Sequence, residues 1–292
     1  MAIRFENVTY RYRASGLNGS AAGLFDVHLQ FAEGRFTAIL GAPGSGKSTL
    51  LQHCNGLLLP EDGRVEVYDC ELTPARPDPK LVQRLRRRVG LVLQYPEEQL
   101  FEDTLAKDLA FGPMNFGATE EEALAAAREA LVQAGLDESF MDRNPFGLSG
   151  GQQRKAAIAA VLAAKPDLLV LDEPTASLDQ SSRKELLSML AGLCREQGRT
   201  VVVVTHRLEE ILPYADELAV MQNGRIAYHG ELQAALLHHA EQLEEAGIEL
   251  PPSVRLLRQA SVTLGMPMPD RLPDVSELAE SIMSALANNR DV

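Results

Sequence analysis

The sequence predicts an α/β fold with a mostly parallel β-sheet, and three observations support this prediction. Residues 168–172 (LLVLD) and 200–205 (TVVVVT) are nearly all apolar, which is typical of strands covered on both faces. Residues 181–195 between them carry leucines at helical spacing, so a strand–helix–strand crossover makes the two strands parallel. A glycine-rich loop at residues 41–48 lies between a short apolar run and another helical pattern.

Segments of strand character in the N-terminal region indicate one edge of the sheet. Residues 3–12, 27–31 and 64–68 have strand character, and we expect them to form an antiparallel edge. The segment 13–23 is rich in Gly, Ser and Ala, so we expect a loop there.

Two more strands and a helix surround the glycine-rich loop. Residues 35–40 predict the strand that enters it, and apolar residues from Leu50 to Leu58 recur on one face of the helix that leaves it. Residues 89–94 predict a buried strand that ends on the polar Gln94.

Helices are expected to interrupt and then to follow the sheet. A helical insert is expected at about residues 95–164, including a helix whose start at residues 119–122 fits a capping box. Residues 231–247 predict one acidic amphipathic helix, and two further helical stretches follow it. We therefore expect a main domain at residues 1–230 and a C-terminal helical extension at residues 231–292.

Composition limits the class of partner. The chain has 28 basic and 41 acidic residues and a net charge of −13, which argues against a nucleic-acid partner. Its three cysteines lack metal-ligand spacing, which favours a reduced compartment. No apolar run approaches the roughly 18 residues that span a bilayer, so action at a membrane would require another subunit.

The glycine-rich loop, GAPGSGKS, matches the phosphate-binding pattern G-x-x-x-x-G-K-[ST] at every fixed position. Its glycines allow backbone N–H groups to face phosphates, and the next helix adds the positive end of its dipole. We expect Lys47 to reach the terminal phosphates and Ser48 to offer its hydroxyl to Mg²⁺. The expected phosphate contacts are Gly41, Ala42, Pro43, Gly44, Ser45, Gly46, Lys47, Ser48 and Thr49.

Two carboxylates stand at the C-terminal end of the apolar strand 168–172, where open α/β sheets bind ligands. Asp172 is expected to hold Mg²⁺ through water as the acidic partner of Ser48. Glu173 points elsewhere and is expected to polarise an attacking water.

A second anion site is indicated at a helix start. Ser149, Gly150, Gly151 and Gln152 combine a hydroxyl with two glycines and exposed N–H groups. A simple helix cap would also explain this segment. Because one γ-phosphate does not need two complete loops from one chain, we expect this loop to serve the ATP of a second subunit.

These motifs, in this order, resemble the nucleotide-binding subunit of an ABC transporter. The resemblance covers roughly residues 1–230 and rests on GAPGSGKST, Gln94, LSGGQ, LLVLDEP, Ser177-Leu-Asp179 and His206. It implies a P-loop NTPase (RecA-like) core, ATP and Mg²⁺ as bound species, and a second ATPase chain that pairs head-to-tail with the first.

The resemblance also assigns roles to single residues. Gln94 is similar to the Q-loop glutamine, which contacts Mg²⁺ and the attacking water, and His206 to the switch histidine at the γ-phosphate. Asp179 is similar to the D-loop aspartate, which communicates across the dimer. The implied catalytic residues are Glu173, His206, Gln94 and Lys47, and the implied magnesium ligands are Ser48, Gln94 and Asp172.

Some details of the resemblance stay open or differ from the usual pattern. Tyr12 is the candidate for stacking on adenine, and Tyr10 is the alternative. Ser177 stands where glycine or alanine is usual, and Arg207 follows the histidine where many relatives have aspartate. Both differences could alter how hydrolysis is coupled between the two sites.

Residues 94–101 (QYPEEQLF) and 247–254 (GIELPPSV) narrow the resemblance to the ATPase subunits of energy-coupling factor transporters, which import vitamins and transition-metal ions. This implies a peripheral protein at the cytoplasmic face of the cell membrane. Its implied partners are a second ATPase, identical or paralogous, a transmembrane scaffold and membrane-embedded substrate-binding subunits. The scaffold's arginines would meet an acidic groove formed by Glu97, Glu98, Glu102 and Asp103, although a solvated acidic turn is the alternative.

In the same family the C-terminal extension helps to hold the ATPases together, so residues 231–292 are the expected dimerisation segment. Three other functions remain alternatives: an ATPase of another ABC importer family, a soluble ABC ATPase of DNA repair or translation, and a small-molecule kinase. The single LSGGQ argues against the second alternative, and its presence argues against the third.

Overall fold

A computed structural model describes residues 1–12 and 23–288. The loop expected at residues 13–23 lies outside the described residues except for Gly23, which begins a strand. Residues 289–292 of the expected C-terminal extension also lie outside them. In the part of the chain that is described, no helix has the length and apolar character to cross a membrane.

The strands form two sheets. The strands are β1 (Ile3–Arg11), β2 (Gly23–Phe31), β3 (Phe36–Leu40), β4 (Asp62–Val67), β5 (Cys70–Leu72), β6 (Val89–Val92), β7 (Leu168–Asp172), β8 (Thr200–Val204), β9 (Glu217–Gln222) and β10 (Arg225–Glu231). One sheet has the order β2-β1-β4-β5 and is antiparallel, and the other has the order β10-β9-β3-β8-β7-β6. Among the described residues, the larger sheet pairs its strands in parallel except for β10 with β9, which are antiparallel. This confirms the predicted α/β class.

Helices surround the larger sheet and continue to the end of the described chain. They are α1 (Lys47–Cys54), α2 (Pro79–Arg88), α3 (Leu105–Asn115), α4 (Glu120–Gln133), α5 (Gly150–Ala163), α6 (Gln180–Gln197), α7 (Leu208–Ile211), α8 (Leu232–His238), α9 (Ala240–Glu245), α10 (Pro252–Leu264) and α11 (Val275–Asn288). Short 3₁₀ turns at Pro96–Gln99, Glu138–Phe140 and Pro145–Gly147 connect some of them.

The larger sheet is buried on both faces, as its apolar strands predict. In β7, Leu169 and Leu171 belong to the core shared with helices such as α5 and α6, whereas Leu168 and Val170 belong to the core shared with α1 and the antiparallel sheet. Because successive side chains of a strand point to opposite faces, both sets must be apolar.

The helix after the glycine-rich loop is shorter than expected. α1 ends at Cys54, so Leu57 and Leu58 do not extend its apolar face, and their N–H groups donate to the carbonyl of Gln52. Gly56 has φ +68°, a left-handed conformation that stops helices. The expectation of a helical face reaching Leu58 is therefore wrong.

Two other element boundaries are also corrected. β6 ends at Val92, so Gln94 lies beyond the strand instead of ending it. The single helix expected at residues 231–247 is two helices, α8 and α9, which meet at His239. The bend brings α9 onto β10, where the Gln242 amide donates to the carbonyl of Ala227 at 2.6 Å and the His239 ring contacts Tyr228.

The segment 95–164 contains α3, α4 and α5, which pack on one another, and the predicted capping box at Thr119 and Glu122 is present. After β10, Leu236 and Leu243 of α8 and α9 belong to the same apolar core as Leu169 and Leu171 of β7. A small separate cluster joins Leu237 to α10 and α11. The division at residue 230 stays a prediction.

Candidate active site

The ends of four neighbouring strands bring the predicted site residues together. β3, β8, β7 and β6 are adjacent and parallel, so the loops that follow them share one edge of the sheet. Val204 pairs with both Ile39 and Asp172, and Val92 pairs with Leu171. The phosphate loop, Glu173, His206 and the segment of Gln94 therefore meet at this edge, where α/β sheets bind ligands.

The phosphate loop leads into a helix that has no side-chain cap. The residue before α1 is Gly46, with φ +105° and ψ 2°, and glycine has no side chain to satisfy the first N–H groups of the helix. A Cβ at this position would lie 3.0 Å from the carbonyl oxygen of Gly23. The loop thus presents free helix N–H groups, which is what an anion site requires.

Lys47 is held inside the curve of this loop. Its Nζ donates to the carbonyl oxygens of Gly41 at 2.8 Å and Ala42 at 2.9 Å. Burial lowers the pKa of the Lys47 ammonium, while the nearby carboxylates of Glu173 and Asp172 act in the opposite direction. The charge is therefore fixed beside the uncapped start of α1, where a phosphate would lie.

Asp172 and Ser48 face each other across the loop. Asp172 is only 5% exposed, and burial raises the pKa of its carboxyl, while a hydrogen bond from the Ser48 hydroxyl acts to lower it. Hydroxyl and carboxylate oxygens are ligands that Mg²⁺ accepts in phosphate sites. The donor set at this position fits the predicted magnesium site.

Glu173 and His206 form a direct hydrogen bond. The Nδ1 of His206 lies 2.9 Å from Oε1 of Glu173, and the Glu173 N–H donates to the carbonyl of Val204 at 3.0 Å. Glu173 has φ +49°, which is strained for a residue other than glycine. Such strain often accompanies functional sites, where the surrounding structure holds a side chain in place.

The LSGGQ segment is closed on itself as a helix cap. Ser149 Oγ accepts from the N–H of Gln152 at 3.4 Å, and Gln152 Oε1 accepts from the N–H of Ser149 at 3.0 Å. Gly150 is exposed, and a Cβ on it would meet nothing within 4 Å. Within one chain, the segment therefore acts as a cap for α5, and no packing requires a glycine at residue 150.

The segment around Gln94 is tied to the LSGGQ helix by a buried arginine that sequence reasoning missed. Arg154, on α5, is 1% exposed and donates to the carbonyl oxygens of Gln94 and Ala176. Its Nε lies 3.6 Å from Oε2 of Glu97. The sequence signal was available, because Arg154 lies four residues before the buried Ile158 on the same helix face.

The four residues of the expected acidic groove differ in their surroundings. Glu97 is half-buried, and its Oε2 lies 3.6 Å from Nε of Arg154, which makes an ion pair but no hydrogen bond between these two atoms. Glu98 and Asp103 are exposed, and Asp103 lies 3.8 Å from Lys107. Glu102 is half-buried, and its N–H donates to the buried carboxylate of Asp108. The acidic groove therefore stays a prediction.

The remaining predicted residues lie near these loops. Tyr12 is 42% exposed, and the Thr49 hydroxyl donates to its hydroxyl at 3.4 Å. Tyr10 is half-buried, with its ring against His53. Asp179 caps α6 by accepting from the N–H of Ser182 at 3.0 Å.

Ser177 has φ +64°, a left-handed conformation that glycine adopts without strain.

The sequence of this chain is similar to those of known proteins. Residues 24–176 match the ABC transporter family. The chain is 44% identical over 282 residues to the energy-coupling factor transporter ATP-binding protein EcfA2 of Geobacillus kaustophilus, covering 97% of this chain and 96% of that protein.

Two solved structures are similar over most of the chain. One is cbiO1 from Clostridium perfringens, part of the ABC transporter complex cbiONQ, with a TM-score of 0.71, 32% identity, and coverage of 88% of this chain and 98% of that one. The other is a dimeric ATP-binding cassette in a post-hydrolysis state bound to ADP and Pi, with a TM-score of 0.71, 30% identity, and coverage of 79% and 99%.

The chain therefore belongs to the ABC transporter family. Its resemblance to the ATP-binding proteins of energy-coupling factor transporters, drawn from QYPEEQLF and the C-terminal segment, is confirmed across nearly the whole chain.

Proposed function

We propose that this chain is the ATP-hydrolysing motor subunit of an energy-coupling factor importer for vitamins or transition-metal ions. The observation that carries this proposal is the pairing of Glu173 with His206, beside the facing Ser48 and Asp172 and within reach of the loop that holds Lys47. These groups combine a candidate general base with a phosphate cradle. ATP hydrolysis needs both.

Each residue has a definite task in this proposal. Lys47 and the N–H groups at the start of α1 bind the phosphates, and Glu173 orients and polarises the attacking water. His206 contacts the γ-phosphate, and the more exposed Tyr12, rather than Tyr10, stacks on adenine.

Ser48, Asp172 and Gln94 would hold Mg²⁺, which supplies neutralisation of phosphate charge when bound.

A second ATPase chain is needed to complete each site. Gly150 has no steric role inside its own chain, and the cap at Ser149 leaves the segment on the surface. A glycine there makes sense if another molecule approaches its backbone closely. We propose that Ser149, Gly150, Gly151 and Gln152 contact the ATP held by a partner, with Asp179 facing the same partner. The dimeric cassette with ADP and Pi supports this pairing.

The test replaces the proposed base while keeping its size. Glu173→Gln is expected to lower the rate of phosphate release by about 10²- to 10⁴-fold, the usual contribution of general-base catalysis, and to retain ATP binding. Light scattering should show a dimer that persists in Mg·ATP. Glu209→Gln is the matched control, because Glu209 is exposed on α7 and its substitution removes the same charge near the site. Unchanged hydrolysis in Glu173→Gln would contradict the proposal.

The surface beside Gln94 is the proposed docking site for the transmembrane scaffold. It combines exposed aromatic rings at Tyr95, Phe101 and Phe111 with the carboxylates of Glu98, Glu102 and Asp103. Such a surface suits a partner with apolar and guanidinium side chains. The scaffold would in turn carry membrane-embedded substrate-binding subunits, and the chain would lie at the cytoplasmic face of the membrane.

Charge reversal separates docking from folding at this surface. Glu98→Lys is expected to reduce recovery of the scaffold from detergent-solubilised membranes while leaving ATP hydrolysis and thermal stability unchanged, since Glu98 is exposed. Glu97→Lys is expected instead to lower stability, because it places a cation beside the buried Arg154. Full recovery of the scaffold with Glu98→Lys would exclude Glu98 from the docking site.

We also propose that residues 231–292 help to hold the two ATPases together. The apolar side chains of Val262, Val275 and Met283 on α10 and α11 are largely exposed. Exposed apolar side chains on neighbouring helices are typical of surfaces that pair with another chain.

A further inference from the structure

His206 is held from both sides of its imidazole ring. On one side, Nδ1 faces Oε1 of Glu173 at 2.9 Å. On the other side, Nε of Arg207 donates to Nε2 of His206 at 3.3 Å.

These two contacts determine where the ring carries its proton. A guanidinium has only donors, so Nε2 of His206 must accept from Arg207. The neutral ring then carries its proton on Nδ1, which donates to the carboxylate of Glu173. In this arrangement Nε2 has no proton to give.

Arg207 is itself held firmly in this position. Its Nη1 donates to Oε1 of Glu210 at 2.9 Å, and Nη1 of Arg183 donates to the same oxygen at 2.8 Å. Thr175 contacts the other carboxylate oxygen of Glu210 at 3.4 Å. Burial opposes ionisation of Glu210, but the hydrogen bonds from Arg207 and Arg183 prevail, so its pKa lies below the ordinary value.

The same network reaches the segment that the proposed function places against the second chain. Nε of Arg183 donates to the carbonyl of Leu178 at 2.7 Å, and Leu178 precedes Asp179. A continuous set of hydrogen bonds therefore runs from His206 through Arg207, Glu210 and Arg183 to the loop at Asp179.

We propose that Arg207 is a positioning residue that restrains ATP hydrolysis by holding Nε2 of His206 as an acceptor, in competition with the γ-phosphate. This inference rests on the proposed function, in which His206 contacts that phosphate. Phosphate oxygens only accept hydrogen bonds, so His206 must present an N–H to them. The contact with Arg207 and a donated hydrogen bond from Nε2 to phosphate exclude each other.

The spectroscopic test needs no nucleotide. Histidine-selective ¹⁵N labelling, with His206 assigned through His206→Gln, reports the state of each ring nitrogen. Arg207→Met removes the donor while keeping a long side chain, and we expect the Nε2 resonance of His206 to shift from its native position. Arg64→Met is the matched control, because Arg64 pairs with Glu6 and Glu66 on the antiparallel sheet. An identical Nε2 resonance in the native chain and Arg207→Met would overturn the proposal.

The kinetic test measures the restraint itself. Arg207→Met is expected to raise the basal rate of ATP hydrolysis about two- to tenfold, the factor that corresponds to one net hydrogen bond, while Arg64→Met keeps the native rate. Arg207→Lys provides a second variant in case the first does not fold, because one ammonium cannot reproduce the two-nitrogen contact to His206 and Glu210. A basal rate that is unchanged or lower in the folded variants would refute the restraint.

The failure of this inference can be distinguished from failure of the proposed function. If the native chain does not hydrolyse Mg·ATP when its second ATPase chain is present, the proposed function fails, and the ¹⁵N resonance still decides whether Arg207 holds His206. If the native chain hydrolyses ATP and the Arg207 variants match it, only the restraint fails.

Discussion

Two helix starts in this protein look alike in sequence and differ in structure. Both the phosphate loop and the LSGGQ segment place glycines at the start of a helix, but α1 begins after Gly46 with no side-chain cap, whereas α5 begins with a complete capping box at Ser149. The capping box of α5 engages the N–H groups of Ser149 and Gln152, whereas no side chain competes with an anion for the first N–H groups of α1. Glycine and serine at a helix start therefore do not by themselves show which N–H groups are available to an anion within one chain.

The largest expected difference between the two segments lies in ATP affinity of a single chain. Lys47→Met should weaken ATP binding about ten- to a hundredfold, because it removes charge-assisted hydrogen bonds worth roughly 1.5–3 kcal/mol. Ser149→Ala should leave the same affinity unchanged at concentrations where chains do not pair. Isothermal titration would measure both, with the exposed Lys80→Met as control. An equal loss of ATP affinity in Lys47→Met and Ser149→Ala would contradict the proposed difference between the two segments.

Replacement of Gly46 or Gly150 by alanine should change the stability of the protein in opposite directions. Gly46→Ala is expected to lower the free energy of unfolding by roughly 1–3 kcal/mol, because φ is +105° and the new Cβ would lie 3.0 Å from the Gly23 carbonyl oxygen. Gly150→Ala is expected to raise the free energy of unfolding by about 0.4–1 kcal/mol, because Gly150 lies in open space at a helix start. The same variant is expected to hydrolyse less ATP, because the added methyl group would crowd the partner's ATP. Urea unfolding and phosphate release would measure these effects. A Gly150→Ala protein with native hydrolysis would argue against the two-chain site.

The smallest expected effect concerns the cap itself. Ser149→Ala and Thr119→Ala each remove the serine or threonine of a capping box, so each should lower the free energy of unfolding by about 1 kcal/mol. Only Ser149→Ala should also reduce ATP hydrolysis, because Thr119 lies at the start of α4 and has no proposed contact with ATP. If Thr119→Ala reduces hydrolysis as much, the loss reflects the stability of the helical insert and not a contact with nucleotide.

Local patterns predicted much of the fold. The strand at Leu168–Asp172 and the capping box at Thr119 were predicted residue by residue, because two-sided burial and helix capping leave direct traces in composition. The early end of α1 also had a local signal in Asn55 and Gly56, which the periodicity of the leucines concealed. The bend at His239 had none, since it depends on contacts with β10.

Some features of the candidate site were also predictable from local patterns, and others were not. The phosphate loop, Asp172, Glu173 and His206 were predicted from motifs, whose roles remain predictions, and the structure brings their segments to one sheet edge. The state of Glu97 was not predictable, because its partner Arg154 is 57 residues away and approaches only when α5 packs beside the 3₁₀ turn at Pro96–Gln99. Opposite charges this far apart in sequence have no pattern that marks them as a pair.

Short-range patterns were enough to identify the α/β class, the family and the residues that carry the proposed chemistry, because backbone turns, buried strands and phosphate loops require particular residues at short spacing. The surroundings of the polar groups appear only in the folded chain: Lys47 lies beside an uncapped helix, Glu97 forms an ion pair with Arg154, and His206 lies between Glu173 and Arg207. The physical reason is that hydrogen bonds and ion pairs depend on distances of a few ångströms between segments far apart in the chain.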